Sequence, residues 1–92
     1  MQYFDWNPEK NESLKKERDI CFEEVVTAYA EGRVVAIVAH HNPKRYPGQK
    51  LLIVVIRDYA YLVPFIEDDE KIFLKTIIPS RKATKEYRGK NK

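Results

Sequence analysis

A chain of 92 residues and 10.9 kDa makes one domain, in which about two thirds of the extended surface can be buried. That excludes a two-domain enzyme, a dinucleotide-binding unit with its substrate domain, and an eight-stranded α/β barrel. Its 43% hydrophobic and 34% charged residues, with 3 Gly and 5 Pro, exclude a disordered tract, and the net charge of +3 permits an acidic partner without demanding one.

The opening MQYFDWNPEK holds no apolar signal core, and no apolar run approaches the roughly 20 residues of a membrane span. The expected location is cytoplasmic, with no membrane partner. Gln2 to Trp6 alternates weakly, as a short strand or an extended arm with Phe4 and Trp6 on one face. Asn7-Pro8-Glu9 then announces a helix over 8–18, because Asn caps free amides, Pro fits the first turn and Glu favours the positive end of the dipole. Leu14 is its one strongly apolar interior residue. Phe22, Val25, Val26 and Tyr29 recur at helical spacing and predict a second helix over 22–31, stopped by Gly32. Cys21, the sole cysteine, allows no internal disulfide and no thiolate metal cluster, and beside Phe22 it reads as a small buried apolar group.

From Arg33 the residues turn β-branched and aromatic, in four strand-length pieces. The first is 33–39, followed by a loop from His40 to Lys50 containing Pro43 and Pro47-Gly48. Leu51 to Ile56 is apolar throughout and belongs at the centre of a sheet. Arg57-Asp58 turns the chain into Tyr59 to Ile66, where Pro64 forces a bulge or an exposed edge. Glu67 to Glu70 connects to Lys71–Ile78, whose alternation sets Ile72, Leu74, Thr76 and Ile78 on one face and Lys71, Phe73, Lys75 and Ile77 on the other. Pro79-Ser80 ends that strand, and Ser80 caps a basic helix from Arg81 to Arg88. The expected fold is α+β: a short strand, two helices, a four-stranded antiparallel meander and a short basic C-terminal helix, the helices sandwiched on one sheet. Residues 75–92 hold seven Lys or Arg against the single acid Glu86. Such a segment is a footprint for phosphate or for an acidic protein, or else a solubilising tail.

There is no glycine-rich phosphate loop and no metal-ligand spacing, so no cofactor or metal is expected. His40-His41 directs two imidazoles apart if extended, yet one of them can serve as a general acid or base. The chemistry that suits these residues without a metal is RNA cleavage by attack of its own 2′-hydroxyl. It needs a base, cations for the developing phosphorane charge, and an acid for the leaving 5′-oxygen. Lys10, His41, Lys75, Arg81 and Lys82 are the available groups, and Tyr46, Tyr59, Tyr61 and Tyr87 are either base-stacking platforms or packing aromatics.

Three blocks then carry a resemblance: Phe4-Asp5-Trp6-Asn7-Pro8-Glu9-Lys10-Asn11, Ile20-Cys21-Phe22-Glu23-Glu24-Val25, and Ile77-Ile78-Pro79-Ser80-Arg81-Lys82-Ala83-Thr84-Lys85. In this order, and over nearly the whole chain, they resemble the BrnT family of bacterial toxins. The resemblance implies a RelE-like fold, a ribonuclease that stops translation, on RNA free or on the ribosome, and a cognate antitoxin encoded beside it. It also implies contact with operator DNA only through the antitoxin complex. Lys10 and Arg81 match family positions and would hold the scissile phosphate, with His41 as acid or base. Arg18, Lys75, Lys82, Lys85 and Tyr87 are the remaining phosphate or RNA contacts. Three polar positions depart from the family's pattern: Glu17-Arg18-Asp19 replaces Lys-His-Gly, Thr76 stands where an Arg is common, and Tyr87 stands where a Glu is. Arg18 can hold phosphate but, with a pKa above about 12, makes a poor base. The alternatives are a weakened or inactive module that binds protein or nucleic acid, and a homodimer formed by edge pairing of the apolar meander.

Overall fold

The computed structural model describes residues 3–40, 42, 44–45 and 47–90, the side chains of 88–90 excepted. The first strand, β1 (Tyr3–Trp6), leads into α1 (Pro8–Arg18). Asn7 caps α1: its side-chain oxygen accepts the N–H groups of Glu9 and Lys10 at 2.8 and 3.2 Å, and Pro8 occupies the first turn. Asp19, in the left-handed region at φ 54°, ends the helix by returning its N–H to the Leu14 carbonyl. After one bend α2 (Phe22–Ala30) begins, and Gly32 at φ 76° turns the chain into the sheet.

The remaining strands are β2 (Val34–Ala39), β3 (Lys50–Ile56), β4 (Tyr59–Glu67), β5 (Lys71–Leu74) and β6 (Ile78–Pro79), with α3 (Arg81–Lys90) closing the chain. Arg57 and Asp58, both at positive φ, make the two-residue turn between β3 and β4. The sheet order is β1-β5-β4-β3-β2, with β6 paired to β4 beyond the end of β5. Every pairing is antiparallel except β1 with β5, which run parallel, Phe4 opposite Ile72 and Trp6 opposite Leu74.

The expected RelE-like arrangement of two helices on a four-stranded antiparallel meander is therefore corrected. The chain is α+β, but its sheet has six strands and is mixed, and helices pack on both of its faces. The N-terminal segment is a strand of the sheet because pairing with β5 inserts Phe4 and Trp6 into the core, where their rings meet Tyr29 and Phe22. The expected strand 71–78 is two pieces. Phe65 pairs with Leu74 and Leu62 with Ile78, so the two residues 63–64 of β4 stand opposite the three residues 75–77. This is a bulge, and it falls opposite Pro64, which has no N–H to give to a ladder but accepts that of Lys75 at 2.8 Å. The extra residue exchanges the faces: Ile77 is fully buried with Ile72 and Leu74, while Ile78 is exposed, the reverse of the simple alternation.

One face of the sheet, the first, packs against Leu14 of α1, Ile20, and Phe22, Val25 and Ala28 of α2, through Leu52, Val54, Ile56, Val63, Phe65, Ile72 and Leu74. The second face presents the alternate residues Ile53, Ala60 and Leu62 to Ala83 and Tyr87 of α3. A bulge at Val35 turns both Val35 and Ala36 of β2 toward this cluster. None of the helices described is long and apolar enough to cross a membrane.

Candidate nucleic-acid interface

Helix α3 is fixed to the second face by its own sequence. The Ser80 hydroxyl accepts the Ala83 N–H at 3.1 Å, the Ser80 N–H is donated to the Ala60 carbonyl at 3.0 Å, and Ala83 and Thr84 are buried. The Thr84 hydroxyl donates to the Ser80 carbonyl at 2.7 Å and accepts the Ala60 N–H at 2.9 Å. With the small residues turned inward, Arg81, Lys82 and Lys85 stand exposed. Tyr87, expected to contact RNA, is half-buried against the apolar cluster under α3.

The rest of the second face lies over β5 and β1. Lys71 and Lys75 flank Phe73, their ammonium nitrogens 5.8 and 5.5 Å from the ring centroid. Lys71 also lies 3.7 Å from an Asp5 carboxylate oxygen, in a pair with both side chains about two-fifths exposed. The expected contacts Lys75, Arg81, Lys82 and Lys85 thus belong to one side of the sheet.

Lys10 stands exposed in the first turn of α1, and α1 packs on the first face while Arg81 opens the helix on the second. The structure does not bring the elements carrying these two residues to one side. Arg18, at the end of α1, donates to the Ile77 carbonyl at 2.6 Å, tying α1 to the bulge. His41 and Tyr46 lie outside the described residues. His40 is buried, and its Nδ1 accepts the Asn42 N–H at 3.1 Å. Tyr59 and Tyr61 pack on one another with centroids 5.5 Å apart, Tyr61 against the core.

A second polar region, a cleft of about 310 Å³ on the first face, is lined by Glu23, Glu24, Thr27, Arg33, Ile56 and Arg57. Its charges are engaged with neighbours: Arg57 with Glu24 and the Asp19 carbonyl, Arg33 with Glu31, and Glu23 with Asn11. Cys21 is half-buried at the start of α2, and burial pushes its thiol up, away from the reactive thiolate. Among the described residues no three His, Cys, Asp or Glu side chains converge as metal ligands.

Sequence reasoning missed Phe73 as a surface group, and it missed the docking roles of Thr84 and Asn11. The signal for Thr84 was its place beside Ala83 in the helix opened by Ser80, where a small polar residue next to a small apolar one marks a close approach. Set beside known proteins, the chain matches no family model, no curated protein and no solved structure.

Proposed function

We propose that this chain is the toxin of a type II toxin–antitoxin pair of the BrnT kind, a cytoplasmic endoribonuclease that inhibits translation and is silenced by a cognate antitoxin. The observation that carries the reading is the one-sided set of cations: Arg81, Lys82 and Lys85 exposed on α3, with Lys71 and Lys75 on the same side of the sheet. A single RNA strand laid along that side meets positive charge over much of its length, which supplies the phosphate term of binding. The resemblance of the three sequence blocks supports the family and the reaction class.

Within this reading the roles follow from chemistry. Attack by the 2′-hydroxyl builds negative charge on the scissile phosphate, and Arg81, permanently charged and able to offer two parallel donors, stabilises it. Arg81 moves no proton, and His41 is the imidazole assigned to that task. Lys10 belongs to the opposite layer and is not assigned to the scissile phosphate. A second reading, a binding module without cleavage, is favoured by Arg18, which stands at a departure from the family's pattern and uses its guanidinium on the Ile77 carbonyl.

The test is tightly controlled expression of wild type, Arg81→Ala and Lys10→Ala, with and without the product of the adjacent gene. The expected result is growth arrest with RNA loss for wild type and Lys10→Ala, relief by Arg81→Ala, and silence on coexpression. Intact RNA and normal growth for wild type, at equal folded expression, would overturn the nuclease reading. Copurification of the adjacent gene's product would then establish the binding module.

A further inference from the structure

Helix α3 covers only part of the second face. Its cluster takes in Val35 and Ala36 of β2, Ile53 of β3, and Ala60 and Leu62 of β4. Beyond it, Tyr3 and Ile66 are exposed and Phe73 is half-buried. Register makes this one patch: Tyr3 stands opposite Lys71, Asp5 opposite Phe73, and Phe73 opposite Ile66. An aromatic ring on a solvent-facing sheet position, bracketed by a lysine two residues before it and another two after it, has a definite chemistry. Both ammonium groups lie over the ring, 5.8 and 5.5 Å from its centroid, so a base stacked there takes the place of these two long side chains, whose charges stay within reach of its phosphates.

We infer that Phe73, with Lys71 and Lys75, is a stacking site for an unpaired base of single-stranded RNA, the two lysines taking the phosphates on either side of that nucleotide. The assignment rests on RNA being the ligand, and it adds a contact away from the cleavage residues. Single-stranded nucleic acid is bound by this combination of aromatic platform and cations, because every base has a π-face and every nucleotide a phosphate. A duplex hides its bases and gains little from the ring. The Lys71–Asp5 pair does not block the site: both side chains are substantially exposed and the separation is 3.7 Å, so the ion pair is weak and a phosphate can displace Asp5. Of the nearby acids, Asp68 is directed elsewhere, its carboxylate accepting the N–H groups of Glu70 and Lys71.

The experiment is fluorescence anisotropy of the full chain with a labelled 2′-O-methyl oligoribonucleotide, which binds as RNA but cannot be cut through its 2′-oxygen. The same sequence as a duplex is the second probe. Phe73→Leu is expected to weaken single-strand binding at least about fivefold and to leave duplex binding unchanged, while Phe73→Tyr retains affinity. Lys75→Gln lowers the slope of log affinity against log salt by about 0.7, and Asp5→Asn, which removes the competing carboxylate, tightens binding. Equal single-strand affinity of Phe73→Leu and wild type would overturn the inference, as would equal losses on single strand and duplex. So would a Phe73→Leu variant that binds RNA normally but no longer copurifies with the antitoxin, since the patch would then be a protein interface. The nuclease reading fails separately: a wild type that stacks RNA through Phe73 yet leaves cellular RNA intact keeps this site and loses the cleavage.

Discussion

Asn11 is buried between α1 and α2, and both ends of its amide are used. Its oxygen accepts the Phe22 N–H at 2.7 Å and its nitrogen donates to Glu23 at 2.8 Å. Phe22 opens α2, whose N-cap Cys21 makes no side-chain capping bond, so α1 caps α2 across the bend. Asn11→Ala leaves a buried donor unpaired and is expected to cost about 1–3 kcal/mol, which thermal denaturation followed by circular dichroism reads at about 4–8 °C per kcal/mol. The same amide, followed by the residue's own backbone N–H, holds the Glu23 carboxyl below the usual carboxylate range. The folded value is the lower one, so this contribution is complete at neutral pH and is lost as pH falls through it. Glu23→Gln therefore flattens the acid limb of Tm against pH, by a small amount because the carboxylate is exposed. None of this linkage was legible in the sequence: Asn11 lies three residues before Leu14 and so on the buried stripe, but its partner arrives only through the left-handed turn at Asp19.

The two N-terminal helices were legible almost to the residue because their ends are written in local chemistry, Asn7-Pro8 at one start and Gly32 after the other stop. The start of α3 was legible from Pro79-Ser80 for the same reason. What holds α3 down is not local. Thr84 fills the hydrogen-bonding need of the Ala60 N–H, 24 residues away in sequence. Thr84→Val keeps the shape and removes the acceptor, with an expected cost of about 1–3 kcal/mol; amide hydrogen exchange should show Ala60 losing protection, and Thr84→Ser should restore it. The strand 71–78 was misread because alternation assumes an unbroken ladder, and the bulge belongs to the pairing with β4 rather than to the segment itself. Half of the candidate interface was legible, since the charge of 75–92 is visible by counting. Its separation from Lys10 was not, because one strand's alternation cannot reveal which face a helix later covers.

Taken together, the elements leave one long border of the sheet open. Among the described residues β2 pairs only with β3, and it carries no charged residue and no proline and exposes Ile37 and Val38. Beside it an apolar groove of about 180 Å³ runs between Tyr29, Ile37, Leu52, Phe65 and Ile72, rimmed by the Lys50–Glu67 pair. Uncharged edges of this kind invite a further strand. Light scattering over rising concentration should find wild type self-associating and Val38→Lys remaining monomeric; equal behaviour would show that the edge is inert in solution. In the strand order β5 is separated from β2 by β4 and β3, so a partner on the β2 border leaves Phe73 accessible. The bulge opposite Pro64 has a consequence for how this chain tolerates change in length. Residues 75–77 resemble a spare connection, yet they reset the parity of everything after them. Losing Thr76 would set Lys75 and Ile77 opposite Pro64 and Val63, a matched ladder that keeps Ile77 in the core and α3 on its present side, so an insertion-and-deletion scan should accept this one-residue deletion where it rejects one inside the paired stretch 71–74.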